Sequence, residues 1–231
     1  MDKSLLKAII WDLDGTLIQF NIDVLRARKI TIEIFEDFGI PKGYLTIKDN
    51  IRENIIIAKE YFKRNKLKSL DLKNVIEKID SEVIRIEYEA AKNATKIKDI
   101  DKVLEFVRKK NLKQVIFTFN TYHNTILSLR NANLYNYFDL IVGRDNVKNP
   151  KPHKDHLSYI CKKLNILPSE ILIIGDTSSD IESALRIGAK SIAINNDTPN
   201  FYKKDLFQYA NLIVEQINIP DELINAIKSF F

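Results

Sequence analysis

The spacing of apolar residues changes rhythm along the chain. From about residue 99 onward, short apolar runs at 114–118, 140–142, 171–174 and 191–194 are bounded by polar and turn residues, which reads as buried strands. The stretches between them carry apolar residues at helical spacing: Val103, Leu104, Phe106 and Val107, then Ile126, Leu127 and Leu129, then Leu157, Ile160 and Leu164. Parallel neighbours need a crossover, so this alternation predicts a parallel sheet. Residues 5–11 add a fifth strand, and 211–214 are a candidate sixth before a closing helix near 220–230. The expected fold class is α/β, a doubly wound, Rossmann-like parallel sheet.

Residues 20–95 follow a different rhythm. No run there alternates like a strand, whereas 24–38, 50–66 and 72–91 have helical periodicity. Gly39-Ile40-Pro41-Lys42-Gly43 and the polar stretch 65–71 are the expected helix-to-helix turns. The expected organisation is therefore an α/β domain from residues 1–19 and 96–231, with an all-helical domain of residues 20–95 inserted after the first strand.

Composition adds limits. A chain of 231 residues with 45% hydrophobic content can bury one sizeable core and a smaller inserted one. No uncharged apolar run approaches the roughly 20 residues of a membrane span, and Met1-Asp2-Lys3 does not open a signal peptide, so a cytoplasmic, membrane-free protein is expected. The single Cys161 sits in an amphipathic pattern and is expected to be packed and inert. A net charge of +5 raises nucleic acid as a partner, but acidic and basic residues interleave along helical faces. The densest cluster, Lys59, Lys63, Arg64, Lys66 and Lys68, reads as a solvated helix end, and no nucleic-acid partner is expected. His123, His153 and His156 lack metal-ligand spacing and accompanying cysteines.

The chemistry concentrates in Asp12-Leu13-Asp14-Gly15-Thr16, directly after the first strand. In extended chain, side chains two apart share a face, so Asp12 and Asp14 can address one ligand while Gly15 turns the backbone. Such a pair can hold a divalent cation or divide nucleophilic and proton-transfer duties. In open parallel sheets, ligands bind beyond the carboxyl ends of the strands. At those ends stand Thr118 after the second strand, Lys151-Pro152 in the loop after the third, and Gly175-Asp176-Thr177-Ser178-Ser179-Asp180 after the fourth.

In that order and strand context, these four segments resemble the motifs of the haloacid dehalogenase superfamily of phosphatases and related phosphotransferases, over residues 5–200. The helical insertion after the first motif resembles the helical-cap subclass, which includes phosphoglycolate phosphatase-like and phosphoglucomutase-like enzymes. The resemblance implies that the insertion selects a small-molecule phosphate ester. It implies Asp12 as the nucleophile that forms an aspartyl-phosphate, and Asp14 as the acid and base that protonates the leaving oxygen and later deprotonates water. It also implies Mg²⁺ held by Asp12, the Asp14 backbone carbonyl and Asp176, with Asp180 behind them orienting the metal's water. Thr118 and Lys151 would bind the phosphate, helped by the backbone amides of Leu13 and Phe119. Two positions depart from the pattern: Phe119 stands where relatives place a small or amide residue, and Lys154 stands where they often have proline.

The expectation is a Mg²⁺-dependent phosphomonoesterase. The true dehalogenases lack the second aspartate of the first motif, so Asp14 favours phosphoryl chemistry. A sugar-phosphate mutase of the same superfamily would use the same core residues and stays open. A non-catalytic binding or scaffold protein retaining the fold is the alternative of another class, and a costly cluster of carboxylates around one lysine argues against it.

Overall fold

All four residues of strand β1 (Ala8–Trp11) are buried, and they divide between two separate cores. Ile9 and Trp11 pack into one apolar cluster, whereas Ala8 and Ile10 pack into another, as alternation of side chains across a strand requires. A strand buried on both faces reads as a continuous apolar run. In this computed structural model the described residues are 6–65, 69–196 and 204–231, with nothing said of the side chains at 69–71.

Among the described residues, β1 is joined by β2 (Lys113–Phe117), β3 (Leu140–Val142), β4 (Ile171–Gly175), β5 (Lys190–Asn195) and β6 (Leu212–Glu215). They form one sheet in the order β3-β2-β1-β4-β5-β6, with every pairing parallel. The helices after the inserted region are α4 (Ile100–Lys109), α5 (Tyr122–Asn131), α6 (Lys154–Leu164), α7 (Ser178–Ile187) and α8 (Asp221–Lys228). Val103, Leu104 and Val107 of α4, Leu129 of α5, and Leu223 and Ile227 of α8 pack on the Ile9/Trp11 face. Leu157, Ile160 and Cys161 of α6 and Ala184 of α7 pack on the other. The fold is thus a doubly wound α/β sheet, and β1 lies where the strand order reverses, between β2 and β4.

The chain separates into two compact units, one of residues 1–21 and 91–231 and the other Ile22–Ala90. The second holds α1 (Val24–Asp37), α2 (Ile51–Arg64) and most of α3 (Ser69–Lys92) around Phe35, Ala58, Phe62, Val75 and Ile79. Asn50 opens α2 with a reciprocal capping box to Glu53. The expected polar turn at 65–71 is shorter than its composition suggested, because Ser69, Leu70 and Asp71 already belong to α3. Leu5, Lys66 and Lys68, named above in the first strand and the basic cluster, lie outside the described residues.

The loop from β3 into α6 carries Lys151, and a buried histidine fixes it. His156, in the first turn of α6, has no exposure. Its Nδ1 accepts the Lys151 backbone N–H at 3.3 Å, so Nε2 carries the proton and faces the Val142 carbonyl at 3.2 Å. The ring also meets Phe117 edge-on, 5.1 Å between centroids. Burial, and then the Lys151 charge, push the imidazole pKa from 6.5 down to about 4, so the native ring is neutral. His153 caps α6 by accepting the Asp155 N–H.

A neutral native histidine sets a sign for pH dependence. Between pH 6.5 and about 4 the unfolded chain takes up a proton that the native ring refuses, so this contribution to stability is lost as pH falls through that window. The stability advantage of the wild type over His156→Ala is expected to shrink across it by on the order of 3 kcal/mol at most, with the Tm difference narrowing accordingly. Thermal melts of both proteins from pH 7.5 to 4 check this; a constant advantage would contradict it.

Candidate active site

The C-terminal ends of β1, β2 and β4 deliver the site. Asp12 continues the ladder one residue beyond β1, its N–H bonded to the Ile174 carbonyl at 2.9 Å. Thr118 does the same after β2, its N–H bonded to the Val142 carbonyl at 3.3 Å. Asp176 follows Gly175, the last residue of β4. Position in a rigid sheet, rather than local sequence, brings these groups together.

Lys151 lies at the centre, 1% exposed. Its Nζ donates to Asp12 Oδ1 at 2.6 Å, to Asp180 Oδ1 at 2.8 Å and to the Phe117 carbonyl at 3.4 Å. The ammonium also stands over two aromatic rings, 4.5 Å from the Phe117 centroid and 5.1 Å from that of Phe119. Phe119, the departure from the family pattern, thereby offers its face to the lysine, and it is 42% exposed. Burial alone disfavours the ammonium, but Asp12 and Asp180 outweigh that and hold the Lys151 pKa above its ordinary value.

Asp12, Asp176 and Asp180 are all buried, and one carboxylate oxygen from each falls within 4.8 Å of the other two. One ammonium faces three carboxylates, which leaves the cluster with excess negative charge. Burial, partly offset by Lys151, pushes the Asp12 carboxyl well above the usual range. Burial and the neighbouring Asp180 push Asp176 up to about 6, against the hydrogen bonds it accepts. An all-oxygen set short of positive charge fits a hard divalent cation such as Mg²⁺. Both Asp180 oxygens are engaged: Oδ1 by Lys151, and Oδ2 by the Thr177 N–H at 3.0 Å and hydroxyl at 2.7 Å, in the capping box of α7.

Several supporting residues escaped the sequence analysis. Thr16 Oγ1 donates to Asp176 Oδ1 at 3.2 Å, and Asn196 Nδ2 donates to Asp176 Oδ2 at 2.9 Å and to the Gly15 carbonyl at 3.0 Å. Gln216 Nε2 meets the same carbonyl at 2.8 Å, and Lys204 Nζ contacts Asn196. Asn120 Nδ2 donates to Asp14 Oδ2 at 2.6 Å, while its backbone N–H reaches the Thr118 hydroxyl at 3.1 Å. Asp14, expected beside Asp12, is half-buried, with its carboxylate on Asn120. The approach is tight: Gly15 has φ +81°, and a Cβ there would overlap the Asp176 carboxylate, as one on Gly175 would overlap that of Asp180. Among the described residues, no helix is long and apolar enough to cross a membrane.

The chain as a whole is similar to known proteins. A phosphorylated carbohydrates phosphatase of Thermotoga maritima is 25% identical over 233 residues, 96% of this chain and 99% of its own. A phosphoglycolate phosphatase of Aquifex aeolicus is 27% identical over 216 residues, 85% of this chain and 91% of its own. Among solved structures, a β-phosphoglucomutase from Clostridium difficile superposes with a TM-score of 0.68 at 20% identity, covering 98% of this chain and 97% of its own. The family model for haloacid dehalogenase-like hydrolases matches residues 9–194. With that match spanning the strands and carboxylates described above, the chain belongs to the haloacid dehalogenase-like hydrolases.

Proposed function

We propose that this enzyme hydrolyses small organic phosphate monoesters through an aspartyl-phosphate on Asp12. The observation that carries this reading is the buried cluster of Asp12, Asp176 and Asp180 around Lys151, at the ends of β1 and β4. Relatives named as phosphatases of phosphorylated carbohydrates and of phosphoglycolate, which align over most of both chains, support it. We further propose that the helical unit Ile22–Ala90 serves as the substrate-selecting cap.

Asp12 would hold the cation together with Asp176 and the Asp14 backbone carbonyl, and Asp180 would hold Lys151 and orient water beside it. Mg²⁺ in this site supplies charge neutralisation for phosphoryl oxygens. The Asp12 carboxylate attacks phosphorus; the bond from phosphorus to the ester oxygen breaks, and Asp14 gives that oxygen its proton, releasing the alcohol. Water then attacks the aspartyl-phosphate, Asp14 takes the water's proton, and cleavage of the phosphorus–Asp12 bond regenerates the carboxylate and frees phosphate. Thr118 and Lys151 stabilise phosphoryl charge in both steps, Lys151 from a position its partners already fix.

Phosphate release from an aryl phosphate and a panel of metabolite phosphates, with Mg²⁺ and with excess chelator, tests the reading. Chelator-sensitive release is expected, and release that ignores the chelator would defeat the metal assignment. Asp12→Asn is expected to fold normally and release no phosphate, and Asp14→Asn to lose roughly 10²- to 10⁴-fold in kcat. Wild-type turnover by Asp12→Asn would refute the nucleophile. Because the Asp176 carboxyl is pushed up to about 6, protons compete with the cation below that pH. The Mg²⁺ concentration for half-maximal rate should therefore rise as pH falls from 7 to 5; a requirement constant over that range would contradict the assignment.

A further inference from the structure

We propose that Asn120 is a positioning residue that holds the Asp14 carboxylate for proton transfer and couples it to the phosphate-binding Thr118. The inference rests on the phosphatase reading and adds a role for Asn120, two residues after Thr118.

Asn120 is 4% exposed and fixed at three points. Its backbone N–H bonds to Thr118 Oγ1 at 3.1 Å, its carbonyl accepts the Arg144 N–H at 3.0 Å, and Nδ2 donates to Asp14 Oδ2 at 2.6 Å. A donor this short on a carboxylate is a charge-assisted bond, strong enough to select one orientation of the acceptor. The same side chain carries a cost. Among the described residues, Asn120 Oδ1 is buried with no hydrogen-bond partner, an expense that alanine would avoid. A residue retained only for packing gains nothing from an unsatisfied amide, so the bond to Asp14 is the feature that accounts for it. Asp14 is half-buried, and the Asn120 bond fixes one of its carboxylate oxygens.

Proton transfer matters most when the leaving oxygen is basic, and this separates positioning from general structural support. Asn120→Ala and the near-isosteric Asn120→Asp are compared with wild type on an alkyl phosphate and on an aryl phosphate with an acidic phenol. Both variants are expected to keep the wild-type Tm within a few degrees. Both should lose about 10- to 100-fold in kcat on the alkyl substrate and several-fold less on the aryl one, with KM little changed. In the Asp14→Asn background, Asn120→Ala should cost almost nothing further. Equal losses on both substrates, an undiminished loss in the Asp14→Asn background, or no loss at all would overturn the role of Asn120 while leaving the phosphatase reading intact. Should one variant fail to fold, the other supplies the comparison. A folded wild type that releases no phosphate from either substrate would overturn both.

Discussion

One ammonium group in the interior determines much of this structure. Lys151 Nζ sits between Asp12 and Asp180, and neither the charge nor its two partners could be buried alone. Removing one member of such a group typically costs about 3 to 5 kcal/mol, because the others remain buried and unpaired. The contact locks the end of β1, the loop after β3 and the start of α7 into one arrangement. Other features follow from it: His156 holds the lysine's backbone, Phe117 and Phe119 turn their rings to its charge, and Gly15 and Gly175 leave room where a Cβ would strike a carboxylate.

The lysine does not balance the cluster. Three buried carboxylates lie near this one ammonium, and burial makes Asp12 and Asp176 favour protonation more than an ordinary aspartate does. On the proposed reading, protons and a cation compete for such a site, which would link metal affinity to pH. Hydrogen bonds from Thr16 and Asn196 hold Asp176 in place. Strain and unsatisfied charge of this kind gather at functional sites, where stability is exchanged for reactivity.

The sheet was readable because parallel strands buried on both faces leave long apolar runs, and Ile9-Ile10-Trp11 and Leu172-Ile173-Ile174 are such runs. The placement of Asp12, Thr118, Lys151 and Asp176 was readable as well, since each stands just past a strand or in the loop that follows it. What pattern could not show was how these groups hold one another. Asn196 and Gln216 reach Gly15 from 181 and 201 residues away, and nothing in their neighbourhood distinguishes them from other amides. Nothing in the spacing of His156 points to Lys151, and only the contacts of its two ring nitrogens reveal the tie. Asn120 carried a faint signal, two residues after Thr118. Ser69 and Asp71 favour turns as readily as a first helical turn, so composition alone does not assign them to α3.

In the proposed reaction the Asp12 carboxylate itself takes up the phosphoryl group, and the position of the adduct can be found chemically. Borohydride reduces an acyl phosphate to an alcohol, so enzyme trapped during turnover, as wild type and as Asp14→Asn, would carry homoserine at the reacting aspartate. Peptide mass mapping then identifies the position. Homoserine at residue 12 is the predicted result; homoserine at 14, 176 or 180, or phosphate release with no adduct in either protein, would contradict the account.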